Sequence, residues 1–256
     1  MRYLLLRMRR LVVVFFTVTV LTFLLVNVLP GDVAYDIAGQ DASQEEVEEI
    51  RKELGLDRPV FIRYGEWLGN FLVGDWGKSY RTGEPVMEAV LSRFPVSFEL
   101  MIFGQAMALM LAIPAAFVGA YRPGATTDKA VASAGFMSLS TPPFMAAIIL
   151  ILPFALYLDL LPATGYVPIT EDFWQNVAAF ILPGLSIALA EWTVLMRVLR
   201  ADLITVLQED YIALARAKGM PTLRILILHA LRPACFSTIT IIGLQIGNLI
   251  GGSIII

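Results

Sequence analysis

Chemistry at a protein site needs proton-holding, metal-holding or nucleophilic groups within common reach, and this 256-residue sequence offers few of them. His229 is its one histidine and Cys235 its one cysteine. Cys235 sits in an apolar run and reads as a small buried hydrophobe, which excludes an internal disulfide and any cysteine-based metal site. Without a second histidine or cysteine partner, His229 makes no metal site and reads as a cap or contact for the loop around it. Asp75 and Glu84 suggest an acid and a base, yet no nucleophile, metal cluster or oxyanion donor accompanies them. No Gly-rich phosphate loop ending in Lys-Ser or Lys-Thr occurs. The sequence therefore holds no catalytic site and no cofactor site, and an ATPase that drove it would be another chain.

Three polar residues stand out because their surroundings are apolar. Glu191 lies six residues before Arg197, about 9 Å along a helix. An ionisable group at such a depth is costly and is either a pathway or gating residue, or a structural carboxylate that pairs or snorkels. Gln245 and Asn248, three apart, share a helix face and are candidates to line a path. Beside them Gly243, Gly247 and Gly251 repeat every four residues, a stripe that lets another helix approach closely.

The elements that must position these residues follow from composition. The chain is 57% hydrophobic and 16% charged, against about 45–50% and about 25% in soluble domains, so lipid must be part of its solvent. Net charge is −3, and no basic surface interleaved with aromatics marks a nucleic-acid partner. Five segments can cross about 30 Å of hydrocarbon: Leu11 to Leu29, Ser97 to Tyr121, Ala130 to Leu158, Val177 to Val198 and Pro233 to Ile256. The third is too long for one straight span and holds Pro142, Pro143 and Pro153, so a kink or a broken start is expected. The first is too long for a signal-peptide core and no A-x-A-like site follows it, so it reads as a retained helix. The fold class is an all-α polytopic membrane bundle. Its divisions are an N-terminal tail and first span over 1–29, an external insertion over 30–96, and a transmembrane core over 97–256 containing a loop over 199–232. Placing the N-terminus inside puts twelve of the nineteen Lys and Arg residues on the inner side, which the positive-inside rule favours.

The insertion reads as folded. Ser43 and Glu46 form a capping box, Val47, Ile50 and Leu54 recur at helical spacing, and Gly55 ends the helix. Trp67, Phe71, Leu72 and Trp76 then supply aromatics suited to a membrane interface.

The inner loop, 199–232, is wet and basic. Its interior reads as a short helix, a break at Met220-Pro221, and a second short helix from Thr222 to Leu231. Asp210, Tyr211, Ala213, Ala215, Arg216, Ala217, Lys218 and Gly219 mark the first helix. Its alanines expose little side chain and so let a partner's groove come close, while Gly219 permits the turn that follows. This loop resembles the coupling motif of binding-protein-dependent ABC importers, a Glu-Ala-Ala triplet four residues ahead of a glycine. Ala215 and Gly219 match, while Ala213 and Leu214 depart from it. It is most similar to the branch that imports dipeptides, oligopeptides or nickel, through Asp210-Tyr211, Ala215 to Gly219 and His229 to Arg232. Leu29-Pro30-Gly31-Asp32, Leu54 to Pro59, Gly74-Asp75-Trp76-Gly77 with Ser79, and Pro85-Val86 carry the same likeness along the chain.

The resemblance implies a plasma or inner membrane permease subunit that pairs with a second permease, two ATPase subunits and an external solute-binding protein, with ATP and Mg held by the ATPases. It also implies a sixth span beyond Gly251-Gly252-Ser253, absent from this sequence. A secondary transporter would instead show internal repeats and coupling-ion carboxylates, and an intramembrane enzyme would need a second carboxylate or a nucleophile facing Glu191. Neither is visible. Single cysteines at Gln44 and Thr222, in a Cys235→Ser background, should label from opposite sides of the membrane with an impermeant thiol reagent, whereas labelling from one side would overturn the orientation.

Overall fold

Where the backbone must satisfy its own hydrogen bonds, a membrane chain becomes helix, and all the regular elements found here are helical apart from one isolated bridge, Lys78 to Pro85. The structure, a computed structural model, describes residues 2–28, 33–39, 42–79 and 82–252. The Leu29 to Asp32 motif and Ser253 to Ile256 lie outside them. The chain divides into two units, Met1–Ser92 and Arg93–Ile256.

The first unit holds α1 (Arg2–Val28), α2 (Val33–Ala38), α3 (Gln44–Glu53) and α4 (Val60–Leu72), together with the start of α5 (Val86–Tyr121). The capping box is formed: Ser43 Oγ accepts from the Glu46 N–H at 3.3 Å, and Glu46 Oε2 accepts from the Ser43 N–H at 2.8 Å. The Ser43 N–H and the Ser43 hydroxyl, which donates to Oε2 at 3.0 Å, hold the Glu46 carboxyl below its ordinary range. Past α3, Gly55 takes φ +63°, with its N–H on the Lys52 carbonyl and that of Leu56 on Arg51, the double closure of a Schellman turn. The aromatics form a ladder rather than isolated anchors. Trp67 stacks on Phe71 at 5.5 Å between centroids, Phe71 on Trp76 at 5.2 Å, and Phe23 of α1 meets Trp67 at 6.0 Å. Arg63 of α4 donates to the Asn27 side chain of α1 at 2.8 Å.

The second unit is built around α8 (Phe173–Val206). Asp172 caps it, accepting from the N–H groups of Trp174 and Gln175. Before α8 come α6 (Thr126–Leu139) and α7 (Pro143–Ile151), the latter running into a π-helical turn, Leu152–Tyr157. After it come α9 (Asp210–Ala217), α10 (Thr222–Arg224), a second π-helical turn (Ile225–Ala230) and α11 (Leu231–Gly252). The third apolar segment is broken: α6 and α7 meet at 98°. Pro143 has no N–H to continue the ladder, and a proline disfavours the α conformation of the residue before it. The end of α6 is closed by side chains, with Ser140 Oγ donating to the Phe136 carbonyl and Thr141 Oγ1 to that of Met137. Among the described residues four helices are each long and apolar enough to span, and the bent pair makes a fifth if it crosses as one broken span.

Helix boundaries differ from the apolar segments read in the sequence: α1 begins at Arg2, α5 at Val86 and α8 at Phe173, each ahead of its segment. The helix of the fourth apolar segment runs past Val198: α8 continues to Val206, with Leu199 and Leu203 still facing the core, 1% and 0% exposed. The helix expected over Thr222 to Leu231 is no separate element, for it runs on through the π turn into α11.

Association of α8 with its neighbours rests on small residues. Lipid supplies no hydrophobic drive between helices, so close backbone approach and polar contacts must hold them. Ala108, Ala112, Ala116 and Ala120 of α5, four residues apart, lie buried in one cluster with Ala188, Leu195, Leu199 and Leu203 of α8. A Cβ on Gly104 would stand 2.8 Å from Ile187 Cγ2, and one on Gly135 of α6 2.7 Å from Thr193 Cγ2. Polar clasps add to this: Thr193 Oγ1 donates to the Gly135 carbonyl at 3.2 Å, Trp192 Nε1 to Ser138 Oγ at 2.9 Å, and Ser138 Oγ to the Leu189 carbonyl.

Candidate functional site

The sequence between Val206 and Thr222 makes α9 because a good helical run stands between two stops. Asp210 lies in the first turn and Arg216 in the last, each complementing the helix dipole. Gly219 ends it with φ +73°. Its N–H donates to the Arg216 carbonyl at 2.9 Å and that of Met220 to Ala215 at 3.3 Å, so the closure is again a Schellman turn. Nothing lies within 4 Å of where a Cβ on Gly219 would stand, so the glycine serves the backbone angle rather than a contact inside this chain.

The helix has one face down and the rest up. Ile212 is fully buried and Ala215 is 6% exposed, both in the cluster shared with Leu199 and Leu203 of α8 and with Ile225, Ala230 and Ala234 at the foot of α11. Asp210, Tyr211, Ala213, Leu214, Arg216, Ala217, Lys218 and Gly219 are exposed. Ala215, which the sequence groups with the alanines open to a partner, therefore faces the chain's own core. An eight-residue helix carries Leu214 as well as Ile212, and its short apolar pattern does not settle which face turns inward.

The polar residues of the spans are placed in part. With α8 reaching Val206, Glu191 lies about 22 Å of helical rise before the end of the helix. It is half-buried and makes no ion pair among the described residues, while Arg197 stands over the Phe136 ring, 5.4 Å from its centroid. Gln245 of α11 is buried, its Nε2 donating to the Glu191 carbonyl at 3.4 Å, and its Oε1 has no hydrogen-bond partner among the described residues. The structure thus brings Gln245 to the backbone of Glu191. Asn248 falls within α11, but its side chain lies outside the described residues. At Gly243 and Gly247 no described atom of this chain comes within 4 Å of where a Cβ would stand, so no described helix of the chain uses that stripe there.

Two features were missed. Gln105 of α5 is buried with neither amide atom partnered among the described residues. Arg200 of α8, read from sequence only as an inner charge, clasps Asp128 of α6 through Nε to Oδ1 at 2.7 Å and an η nitrogen to Oδ2 at 2.6 Å. The Gly124 N–H also donates to Oδ2, at 2.8 Å. Gly119 of α5 is packed beneath, where a Cβ would lie 2.9 Å from Arg200 Cδ. The only sequence signal was the spacing of Ala112, Ala116 and Ala120 with Gly119, which marks a face for close approach.

Residues 87–256 match the family described as "Binding-protein-dependent transport system inner membrane component", and residues 1–101 match its N-terminal counterpart. A relative from Brucella abortus, a putative peptide transport system permease protein, is 37% identical over 98% of this chain and 80% of its own length. The oligopeptide transport system permease protein AppB of Bacillus subtilis is 35% identical over 93% of this chain and 77% of its own. The glutathione transport system permease protein GsiC of Escherichia coli is 34% identical over the full chain and 81% of its own. The chain belongs to the binding-protein-dependent family of inner-membrane transport permeases, and it is a multi-pass permease of the ABC importer type.

The two alanines give a contrast. Ala215→Trp forces a large ring into a packed seat, and such overpacking costs about 1–3 kcal/mol. Ala217→Trp, on the exposed side, should change stability by no more than about 0.5 kcal/mol. Thermal unfolding of the purified permease checks this, and equal effects of the two would contradict the assigned face.

Proposed function

We propose that this chain is the permease of an ATP-driven importer of dipeptides or oligopeptides, or of a related small solute such as nickel. The names of its relatives favour peptides. In this reading a second permease completes the path, an external binding protein delivers the solute, and two separate ATPase subunits hold ATP and Mg on the inner face. The observation that carries the reading is the seating of α9. Its buried side is fixed to the feet of α8 and α11, and its free side offers Tyr211, Leu214, Arg216 and Ala217 to a partner. A push on α9 is therefore passed to two spans at once, which is what converting ATP-driven closure into alternating access requires.

Gly219→Trp tests the coupling. A side chain at a positive φ strains the turn, and its bulk projects into the open space beside the free face. The variant should insert and pair with the second permease, while stimulation of ATP hydrolysis by the loaded binding protein is lost and transport falls roughly tenfold or more, the factor that an overpacking cost of about 1–3 kcal/mol allows. Normal transport by this variant would remove the mechanism.

We also propose that Glu191 and Gln245, with Asn248, lie along the path. A carboxylate at membrane depth with no basic partner among the described residues is more easily understood beside a water-filled route than in lipid. Glu191→Gln keeps the shape and removes the charge. It should lower transport by about tenfold or more with assembly intact, by the scale on which such a change in free energy reads out. Transport within a few fold of wild type would return Glu191 to a structural role.

A further inference from the structure

Between α6 and α8, at the end of the bundle where both helices carry basic residues, the chain forms an open-sided cavity of about 410 Å³. Its walls follow from helical spacing. Lys129, Ala132 and Phe136 share a face of α6, and Thr193, Met196, Arg197 and Arg200 share one of α8. The floor is closed by the contact between Gly135 and Thr193. Charge at the mouth is unbalanced. Asp128 is the one acidic residue in the lining, and its two oxygens are already engaged by Arg200 and the Gly124 N–H. Lys129 and Arg197, both exposed, make no ion pair among the described residues. The Arg197 guanidinium is held over the Phe136 ring, which fixes a cation beside an apolar surface. Phe136 is 58% exposed, so the apolar wall is open to the outside of the cavity.

From this juxtaposition we propose that the cavity is a binding site for an anionic phospholipid, with the headgroup phosphate between Lys129 and Arg197 and an acyl chain along Phe136. The chemistry fits the occupant in two respects. Two uncompensated cations at the end of membrane-spanning helices attract anionic headgroups, by about 1 kcal/mol per residue near such a surface. The wall below them is apolar, which suits a chain and does not suit a free hydrated anion. The clasp of Asp128 by Arg200 keeps that carboxylate from neutralising the site. A lipid seated here would bridge α6 to α8.

The test uses the assembled transporter in detergent, with phosphatidylglycerol and phosphatidylcholine added in equal amounts and retained lipid read by native mass spectrometry. Phosphatidylglycerol should be retained preferentially. The double variant Lys129→Gln with Arg197→Gln should lower that retention roughly tenfold, leave phosphatidylcholine retention unchanged, and be matched by no loss in Arg197→Lys. Inorganic phosphate should not displace the lipid. Undiminished retention by the double variant would overturn the proposal. So would displacement by inorganic phosphate, which would make this a free-anion site, or crosslinking of Lys129→Cys to a partner subunit, which would make the occupant a protein. If the double variant fails to assemble, Lys129→Gln alone is read by the same measure, and full retention there counts against the site.

Discussion

Because lipid tails are as apolar as leucine, nothing like the hydrophobic effect in water drives α8 against its neighbours, and the second unit depends on how closely those neighbours can approach. Gly104 and Gly135 stand where even a methyl group would collide with Ile187 or Thr193. The alanine stripe of α5 lies flat in the same cluster as Ala188. Close approach then makes short polar contacts available, and these fix register: Thr193 to Gly135, Trp192 to Ser138, and Arg200 to Asp128. Enlarging any of these small residues would separate the backbones and break the polar contact together with the packing.

The same constraint gives the second unit a stiff part. Beyond the apolar stretch α8 continues to Val206, still burying Leu199 and Leu203. That extension gives Ile212 and Ala215 a surface on which to seat α9, with the start of α11 closing the other side. The span, the short helix and the following span thus share one cluster of buried side chains. In the proposed coupling role, a helix that shares a core with two spans would transmit a partner's motion, whereas one on a floppy loop would absorb it. The break between α6 and α7, at 98°, is a different device. It leaves a helix end within the apolar segment, closed by Ser140 and Thr141 instead of by the next turn.

Much of this was legible from the residues. Apolar length located the spans, Pro142-Pro143 located the break, Ser43 and Glu46 located a helix start, and Gly219 located a helix stop. Each of these signals is local, carried by residues within a few positions of one another. What was not legible depends on partners distant in sequence. Asp128 and Arg200 are 72 residues apart, and nothing in the residues around either one points to the other. The continuation of α8 past Arg197 is hidden in the sequence because charge closes the apolar stretch there, although Leu199 and Leu203 keep the buried face going. The direction of Ala215 was hidden because small residues suit either a partner's groove or the chain's own core. Only the position of α8 decides between them.

If the free face of α9 meets an ATPase subunit and passes its movement to the spans, that contact can be captured directly. The most direct measurement is site-specific crosslinking from Arg216→Cys, in a Cys235→Ser background, within the assembled transporter in membrane vesicles, with and without ATP. The crosslinker should capture an ATPase subunit from Arg216→Cys, and one at buried Ala215→Cys should not. Capture of no ATPase from Arg216→Cys, in a complex that still transports, would contradict the coupling role of α9.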